Sequence, residues 1–260
     1  LPTLRAAAPR FGPGYVLYIG SKGAADSLWK IKDGAETELW KGSEGAVPGA
    51  PAVSPDGTQI CFLVRSRGLT RLHVMSADGT NVRELADSVE ARGAPTWSPD
   101  GKWIAVAATQ NNANPLLKIP AGGGAAVTLV DGKDSVTSNP VWSPDGRFII
   151  YSEGKGSALV RLKAVTPEGR PYTVPEIWVG NTGDRYRFLR DGKSLIISRG
   201  VLWQQNFSLL DLTTGKLRDL TNLSRQFITR SFDVSPDGKQ ILFDRYRQNS
   251  DIVLIDLAPR

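Results

Sequence analysis

The stretch Ser98-Pro99-Asp100-Gly101 decides the fold because it recurs along the chain. Its copies are Ser54-Pro55-Asp56-Gly57, Ser143-Pro144-Asp145-Gly146 and Ser235-Pro236-Asp237-Gly238, with a degraded copy at Leu189-Arg190-Asp191-Gly192 and a fainter one at Gly12-Pro13-Gly14. The repeat glycines are Gly14, Gly57, Gly101, Gly146, Gly192 and Gly238, which lie 43 to 46 residues apart. A period of this length is typical of propeller blades with four strands each.

Each copy has the residue types of a tight hairpin turn. Proline sets φ at the first turn position, aspartate bonds to its own backbone, and glycine adopts the positive φ that closes the turn. Apolar runs such as Ile104-Ala105-Val106 follow the turns, as expected for strands buried on both faces. The sequence therefore predicts one all-β domain over residues 1–260, a six-bladed β-propeller of four-stranded antiparallel blades.

The last blade is incomplete in the sequence. Its third strand ends at Leu257, and only Ala258-Pro259-Arg260 follows. An unpaired strand edge exposes a row of backbone donors and acceptors. We therefore expect an N-terminal strand, around Thr3-Leu4-Arg5-Ala6, to pair with the last blade and close the ring.

Two segments, Pro95-Thr96-Trp97-Ser98-Pro99-Asp100-Gly101-Lys102 and Pro140-Val141-Trp142-Ser143-Pro144-Asp145-Gly146-Arg147, resemble the TolB-like, WD40-like propeller repeat. The resemblance covers roughly residues 12–257 and implies the propeller fold. That family includes periplasmic translocation proteins, propeller domains of prolyl-peptidase-like enzymes and C-terminal domains of bacterial signalling proteins. The stretch 232–257 also resembles the end of propellers attached to bacterial serine/threonine kinases or winged-helix regulators. The degraded fifth turn and the lack of a TolB-type α/β domain depart from the family.

Catalytic chemistry is not indicated. A Ser-His-Asp triad needs a histidine base and a nucleophile elbow, but the one histidine, His73, lies mid-strand and no Gly-x-Ser-x-Gly is present. The turn aspartates lie on different blades, whereas a calcium loop needs several oxygens within one segment. The sequence thus predicts no enzyme, no catalytic residue, no metal site and no cofactor. A glycosidase-type carboxylate pair is left open.

Composition narrows the partners and the compartment. The net charge of +6 mildly favours acidic partners, and no basic run indicates nucleic acid. No apolar run reaches the roughly 18 residues of a membrane helix, so we expect no membrane contact by this domain itself. We also expect the domain to be monomeric. The lone Cys61 lies in an apolar run and predicts a buried thiol. Leu1-Pro2-Thr3-Leu4 shows neither Met nor a signal pattern, so a mature or excised fragment is expected, with an extracytoplasmic, periplasmic location favoured.

The partner is expected on one face of the ring. Alternating strand directions put the longer connections, second-to-third strand and fourth-to-first strand, on the same face. Candidate binding residues there are Arg65, Trp203, Arg245 and Tyr246, with Arg92, Arg185, Arg187, Arg230 and Asp233 near the central opening. Arginine and aromatic residues are enriched at recognition surfaces. The sequence thus predicts that a protein, an acidic peptide or a small anion binds this Arg-rich face; the alternative is that these residues only solvate loops.

Three of the inner-strand predictions concern packing. Arg187 and Asp233 occupy equivalent positions on neighbouring inner strands, which favours an ion pair between blades over a ligand contact. Trp97 and Trp142 precede the turn serines and are expected to wedge between blades.

Two function classes follow. The first is a non-catalytic binding, sensor or scaffold propeller, a module of a larger bacterial signalling protein. The alternative is a TolB-like periplasmic translocation factor or an accessory propeller of a prolyl-oligopeptidase-type hydrolase. A free-standing lyase or glycosidase is a third class that no motif supports.

Overall fold

The computed structural model describes residues 6–21, 25–42, 46–201, 204–223, 227–246 and 250–257. These residues form 24 β-strands in six hydrogen-bonded sheets. In this part of the chain, no helix has the length and apolarity that crossing a membrane requires. The predicted all-β architecture is confirmed.

The first three blades follow one another along the chain, each with four antiparallel strands. Blade 1 contains β1 (Ala6–Gly12), β2 (Tyr15–Ser21), β3 (Asp26–Lys32) and β4 (Ala35–Lys41). Blade 2 contains β5 (Ala52–Val53), β6 (Gln59–Ser66), β7 (Leu69–Ser76) and β8 (Arg83–Leu85). Blade 3 contains β9 (Glu90–Trp97), β10 (Trp103–Thr109), β11 (Leu116–Pro120) and β12 (Val127–Val130).

The last three blades vary in their outer strands. Blade 4 contains β13 (Val136–Trp142), β14 (Ile149–Gly154), β15 (Leu159–Val165) and β16 (Pro171–Tyr172), and β17 (Trp178–Gly180) also pairs with β15. Blade 5 contains β18 (Tyr186–Phe188), β19 (Ser194–Val201), β20 (Gln204–Asp211) and β21 (Leu217–Asp219). The described part of blade 6 has three strands, β22 (Phe232–Val234), β23 (Gln240–Tyr246) and β24 (Ser250–Asp256).

The six inner strands surround one central channel. A narrow cavity of about 190 Å³ is lined by residues from all of them, among them Phe11, Val53, Thr96, Val141, Arg187 and Asp233. Because each blade contributes its first strand to the same cavity, the sheets are arranged around a common axis. The six-bladed propeller predicted from the repeat is confirmed.

The turn chemistry explains why the repeat residues are there. Ser98 Oγ donates to Asp100 Oδ1 at 2.6 Å and accepts from the backbone N–H of Trp103 at 2.9 Å. Asp100 Oδ1 also accepts from the N–H of Lys102 at 3.1 Å, and Gly101 has a φ of 71°. The same three hydrogen bonds recur in the turns that begin at Ser54, Ser143 and Ser235. The repeated aspartates therefore hold turns, as predicted.

The hydrophobic cores lie between neighbouring blades. One cluster joins Cys61 and Leu63 of blade 2 to Trp97 and Ile104 of blade 3. Trp97 also donates from Nε1 to the carbonyl of Ala52 in blade 2 at 3.1 Å. Its predicted wedge position is therefore confirmed.

The predictions for Trp142 and Cys61 are also confirmed. Trp142 is buried in a cluster with Ala105 and Leu116 of the preceding blade. Cys61 is fully buried, and burial raises the pKa of its thiol. A buried, protonated thiol acts as a small apolar side chain.

The predicted closing strand falls mostly on residues that the structure does not describe. Residues 3–5 lie outside the described residues, so their pairing with the last blade stays a prediction. Ala6, the one described residue of that stretch, pairs with Gly20 in blade 1. It also packs with Tyr18, Trp29 and Ile252, so an apolar contact between blade 1 and blade 6 is present.

We expect Ser98→Ala to lower the free energy of unfolding by about 1–3 kcal/mol, because a buried serine hydroxyl that both donates and accepts is lost. Urea unfolding measures this. The exposed Thr213→Ala is the control and should change stability by less than about 0.5 kcal/mol. Equal effects of the two substitutions would contradict the structural role of the turn serine.

We also expect deletion of residues 1–5 to speed amide hydrogen exchange in β24, because an edge strand without a partner exposes its backbone. The internal reference is β12 of blade 3, whose exchange should not change. Unchanged protection of β24 would show that residues 1–5 do not close the ring.

Candidate functional site

The central channel widens at the end where the inner strands begin. A cavity of about 640 Å³, which we call the mouth, lies there. It is lined by Ala7, Ala8, Ile19, Ser21 and Asp26 of blade 1, residues 47–50, Gly93, Ala94, Asn139, residues 182–184, and Ile228, Arg230, Ser231, Asp244 and Tyr246. Connections between second and third strands and between fourth and first strands meet at this cavity. It therefore lies on the face on which a partner is predicted.

The rim of the mouth is built from close backbone contacts between blades. A Cβ on Gly49 would lie 1.9 Å from the carbonyl oxygen of Gly93, and one on Gly183 would lie 2.0 Å from that of Arg230. Asn139 Nδ2 donates to the carbonyl of Gly183 at 2.9 Å. Only glycine fits at positions 49 and 183, so the opening has a fixed outline.

A buried carboxylate below the rim joins three blades. Asp184 Oδ2 accepts hydrogen bonds from Arg10 of blade 1, from Arg187 at 2.9 Å, and from the hydroxyl of Ser231 in blade 6 at 2.7 Å. Arg10 also donates to the carbonyl of Phe232 at 3.0 Å. Blades 5, 6 and 1 are therefore linked through one side chain.

The charge of Asp184 is set by these neighbours. Burial alone would raise its pKa, but the positive charges of Arg187 and Arg10 and the hydrogen bond from Ser231 lower it to about 2. Burial and the nearby Arg10 lower the pKa of Arg187. Asp184 is thus ionised at neutral pH and balances two arginines.

A second buried carboxylate lies between blade 6 and blade 1. Asp244 Oδ1 accepts from the backbone N–H groups of Arg230 at 2.7 Å and Ser231 at 2.9 Å. Its Oδ2 accepts from the N–H of Ala8 in blade 1 at 3.3 Å. Burial raises the pKa of this carboxyl. Asp244 therefore connects the mouth to the junction between the last and first blades.

Two of the predicted binding arginines bond across blade boundaries. Arg92 donates from Nη2 to the carbonyls of Ala108 at 3.3 Å and Thr137 at 3.2 Å. Arg185 is buried and donates to the carbonyl of Thr229 at 3.2 Å and to Thr182 Oγ1 at 2.9 Å. Burial lowers the pKa of both guanidinium groups. In these positions the two side chains hold neighbouring blades together, and neither lines the mouth.

The predicted ion pair between inner strands is present. Arg187 Nε lies 3.6 Å from Asp233 Oδ1, and both side chains line the central channel. Asp233 Oδ2 also accepts from the N–H of Phe11 at 2.9 Å. The pair therefore belongs to the same network that joins blades 5, 6 and 1.

Arg230 and Tyr246 are the predicted residues that the structure brings together at the mouth. The Arg230 guanidinium lies 4.7 Å from the centroid of the Tyr246 ring, a cation–π distance. Arg230 is exposed, and in the described part of the chain its guanidinium forms no hydrogen bond or ion pair. This is a cation available to a ligand.

The remaining predicted residues lie away from this pair. Arg65 is exposed at the end of β6, and Arg245 is half-buried on β23; neither lines the mouth. Trp203 lies outside the described residues. Three residues that matter here, Arg10, Asp184 and Asp244, were not predicted. A charged Asp244 directly after the apolar run Ile241-Leu242-Phe243 is the sequence signal that points to one of them.

Comparison with known proteins identifies one matching family and several solved structures with the same fold. Residues 30–171 match the sequence model of the TolB beta propeller domain, PD40. TolB from Acinetobacter baumannii is similar with a TM-score of 0.73 and 16% identity over 94% of this chain, which spans 61% of that protein. A putative TolB from Agrobacterium tumefaciens has a TM-score of 0.67 and 17% identity, covering 100% of this chain and 92% of that one. A prolyl endopeptidase has a TM-score of 0.60 and 13% identity over 98% of this chain, which spans 41% of it.

We expect Asp184→Asn to lower the free energy of unfolding at neutral pH by about 3–5 kcal/mol, because buried Arg10 loses its carboxylate partner and buried Arg187 loses one of its two. Glu176→Gln is the control, since the surface pair with Arg161 at 3.4 Å contributes at most about 1 kcal/mol. Urea unfolding measures both.

The effect of Asp184→Asn on stability should also depend on pH. The pKa of Asp184 is lowered from 3.8 to about 2, so its stabilising contribution is present at neutral pH and is lost as the pH falls through that window. The stability difference between the wild type and Asp184→Asn should therefore shrink on acidification. A constant difference would contradict the ion-pair network.

Proposed function

Because the chain belongs to the TolB beta propeller domain family, PD40, we propose that it is a non-catalytic binding module whose mouth receives an acidic peptide segment of another protein. The observation that carries the proposal is the exposed Arg230 guanidinium, held over the Tyr246 ring at the edge of the mouth.

The composition of the mouth supports a peptide ligand. Its volume of about 640 Å³ falls in the range of ligand pockets, roughly 300–1,000 Å³. Apolar surface is contributed by Ile19, Val47, Pro48, Ile228 and Tyr246. Apolar walls with one directed charge suit a short segment that buries an apolar side chain and presents a carboxylate to Arg230.

The backbone that carries Arg230 is firmly held. Gln205 Oε1 accepts from the N–H of Thr229 at 2.7 Å, and Arg185 donates to the carbonyl of Thr229 at 3.2 Å.

The next two residues are held by carboxyl-bearing residues. The N–H of Asp184 donates to the carbonyl of Arg230 at 2.8 Å. Asp244 accepts from the N–H groups of Arg230 and Ser231. A cation on a preorganised backbone binds with a smaller entropic cost.

The other charges of the mouth favour binding over catalysis. The carboxylates of Asp26, Asp184 and Asp244 each accept hydrogen bonds from the protein itself. His73 lies on β7 with its Nε2 4.0 Å from Glu84 and does not line the mouth. These engagements leave Arg230 as the charged group that a ligand meets first.

The proposal extends to the larger protein that contains this propeller. We propose a bacterial signalling protein in which the mouth senses or docks a partner outside the cytoplasm. An accessory propeller of a hydrolase is the second candidate, and the observation that favours it is the match to 41% of a prolyl endopeptidase chain. A kinase or winged-helix domain in the same gene supports the first role, and an α/β-hydrolase domain supports the second.

We expect peptides selected from a random phage-displayed library on the 260-residue chain to be acidic and to bind at the mouth. Arg230→Ala should weaken them by about tenfold or more, because a charge-assisted hydrogen bond is lost. Fluorescence anisotropy with the synthetic peptides measures the affinity.

The matched control is Arg218→Ala, an exposed arginine on β21 that does not line the mouth. It should leave the affinity unchanged. Selected peptides that bind the Arg230→Ala variant as tightly as the wild type would refute the mouth as the binding site.

A further inference from the structure

We propose that Asp244 is a positioning residue that holds the Arg230 segment of the mouth and the first blade as one unit, so that occupancy of the mouth and closure of the ring are coupled. The inference rests on the proposed function, because it concerns how the binding cation of that same site is held and regulated.

The backbone ladder of blade 6 is irregular where Arg230 lies. β22 and β23 pair regularly up to Phe232 and Phe243, and pairing resumes at the bridge between Ile228 and Tyr246. Three residues on the inner strand therefore face two on β23, which is a β-bulge. A bulge leaves successive N–H groups without ladder partners, and buried donors must be satisfied in another way.

The side chain of Asp244 satisfies these donors. One of its oxygens accepts from the N–H groups of Arg230 and Ser231, at 2.7 and 2.9 Å, and the other accepts from the N–H of Ala8 at 3.3 Å. Ala8 belongs to blade 1 and has a φ of 54°, in the region that alanine rarely adopts. A strained conformation persists only where its surroundings hold it, and Asp244 is one of the groups that hold it.

This contact makes the two ends of the chain depend on each other. Ala8 and Asp244 are 236 residues apart in sequence. A ligand that further stabilises the position of the Arg230 segment also stabilises the carboxylate that accepts from Ala8. By thermodynamic linkage, closure of blade 1 onto blade 6 must in return favour the binding geometry of Arg230.

The charges that face Asp244 come from all three blades. Asp184 and Arg185 face it from blade 5, Arg230 and Tyr246 from blade 6, and Arg10 from blade 1 through Ser231. Burial, with a further contribution from the charge of Asp184, raises the pKa of Asp244, while its three N–H donors oppose the increase.

The direction of this shift sets the sign of the pH effect. An Asp244 exposed by local opening regains its ordinary pKa, so protonation favours the closed state over the open one. Opening therefore becomes easier as the pH rises through the raised pKa, and this dependence should be absent when Asp244 cannot titrate.

The test is residue-resolved amide hydrogen exchange by NMR on the full chain, without ligand. Asp244→Ala should reduce the protection of the amides of Ala8, Arg230 and Ser231 by about tenfold or more. Asp244→Asn keeps one acceptor oxygen, so it should retain protection at Arg230 and Ser231 and lose it at Ala8. This milder variant also serves if Asp244→Ala does not fold.

The matched control is Asp26→Asn. Asp26 also lines the mouth and accepts from one backbone N–H, that of Val47 at 2.9 Å. It should reduce protection at Val47 and leave Ala8 and Arg230 unchanged.

A pH series separates positioning from general destabilisation. After correction for intrinsic rates, wild-type protection at Ala8, Arg230 and Ser231 should fall as the pH rises above the ordinary carboxyl range of about 4, whereas Asp244→Asn should show no step at Arg230 and Ser231. A uniform loss of protection in all blades, an unchanged Ala8, or a step that persists in Asp244→Asn would each overturn the proposal. Because no ligand is used, a failed peptide selection and a failed positioning role are distinguishable.

Discussion

A ring of blades must join its last blade to its first, and these come from opposite ends of the chain. Between blades 1 and 2, a Cβ on Gly57 would lie 2.5 Å from Pro13 Cγ of the preceding turn. At Gly14 of blade 1, no described residue other than its two chain neighbours lies within 4 Å of such a Cβ. The carboxylate of Asp184 joins Arg10 of blade 1 to blades 5 and 6 and so links the last blade to the first.

Charged contacts suit this junction for a physical reason. Apolar surfaces can pack against each other in several relative positions at similar free energy. A buried arginine that loses its carboxylate, in contrast, lowers the stability by several kcal/mol. Arg10 finds Asp184 as its counter-charge and the Phe232 carbonyl as a second acceptor, so the blades meet in one register. Elsewhere in the ring, apolar clusters such as the one around Trp97 and Ile104 hold adjacent blades. The apolar contact of Ala6 with Ile252 adds to the closure without fixing its register.

The fold could be predicted from the sequence because its determinants are local. Ser98, Asp100 and Gly101 form their hydrogen bonds within five residues of one another, so the turn and its period are visible in the chain. Arg92, Arg185, Arg187 and Arg230 were predicted near the central opening, but the direction of each side chain depends on local register. Irregular pairing in β9, between Arg92 and Thr96, is one example, since a one-residue shift changes the face that a side chain occupies. Arg92 consequently bonds to the next blade.

Other features of the site depend on contacts that no local pattern shows. Arg10 meets Asp184 across 174 residues, and Ala8 meets Asp244 across 236. A charged residue after an apolar run indicates that Asp244 is paired, but the sequence does not say with what. Sequence separation also explains why the number of exposed cations was overestimated: Arg185 bonds to Thr229 of the next blade across 44 residues, so it looks like a surface arginine until that blade is present.

The location of Arg230 then follows from how the ring is closed. A binding cation needs a firm backbone and a free guanidinium, and these requirements conflict unless different groups serve each one. Asp184, Arg185 and Asp244 hold the backbone of residues 229–231, while the guanidinium lies over the Tyr246 ring and, among the described residues, forms no hydrogen bond or ion pair. The groups that provide the firm backbone are those that join blades 5, 6 and 1. Affinity at the mouth and the stability of ring closure therefore depend on the same hydrogen bonds. A binding site between two blades that are held together by apolar packing would not have this dependence.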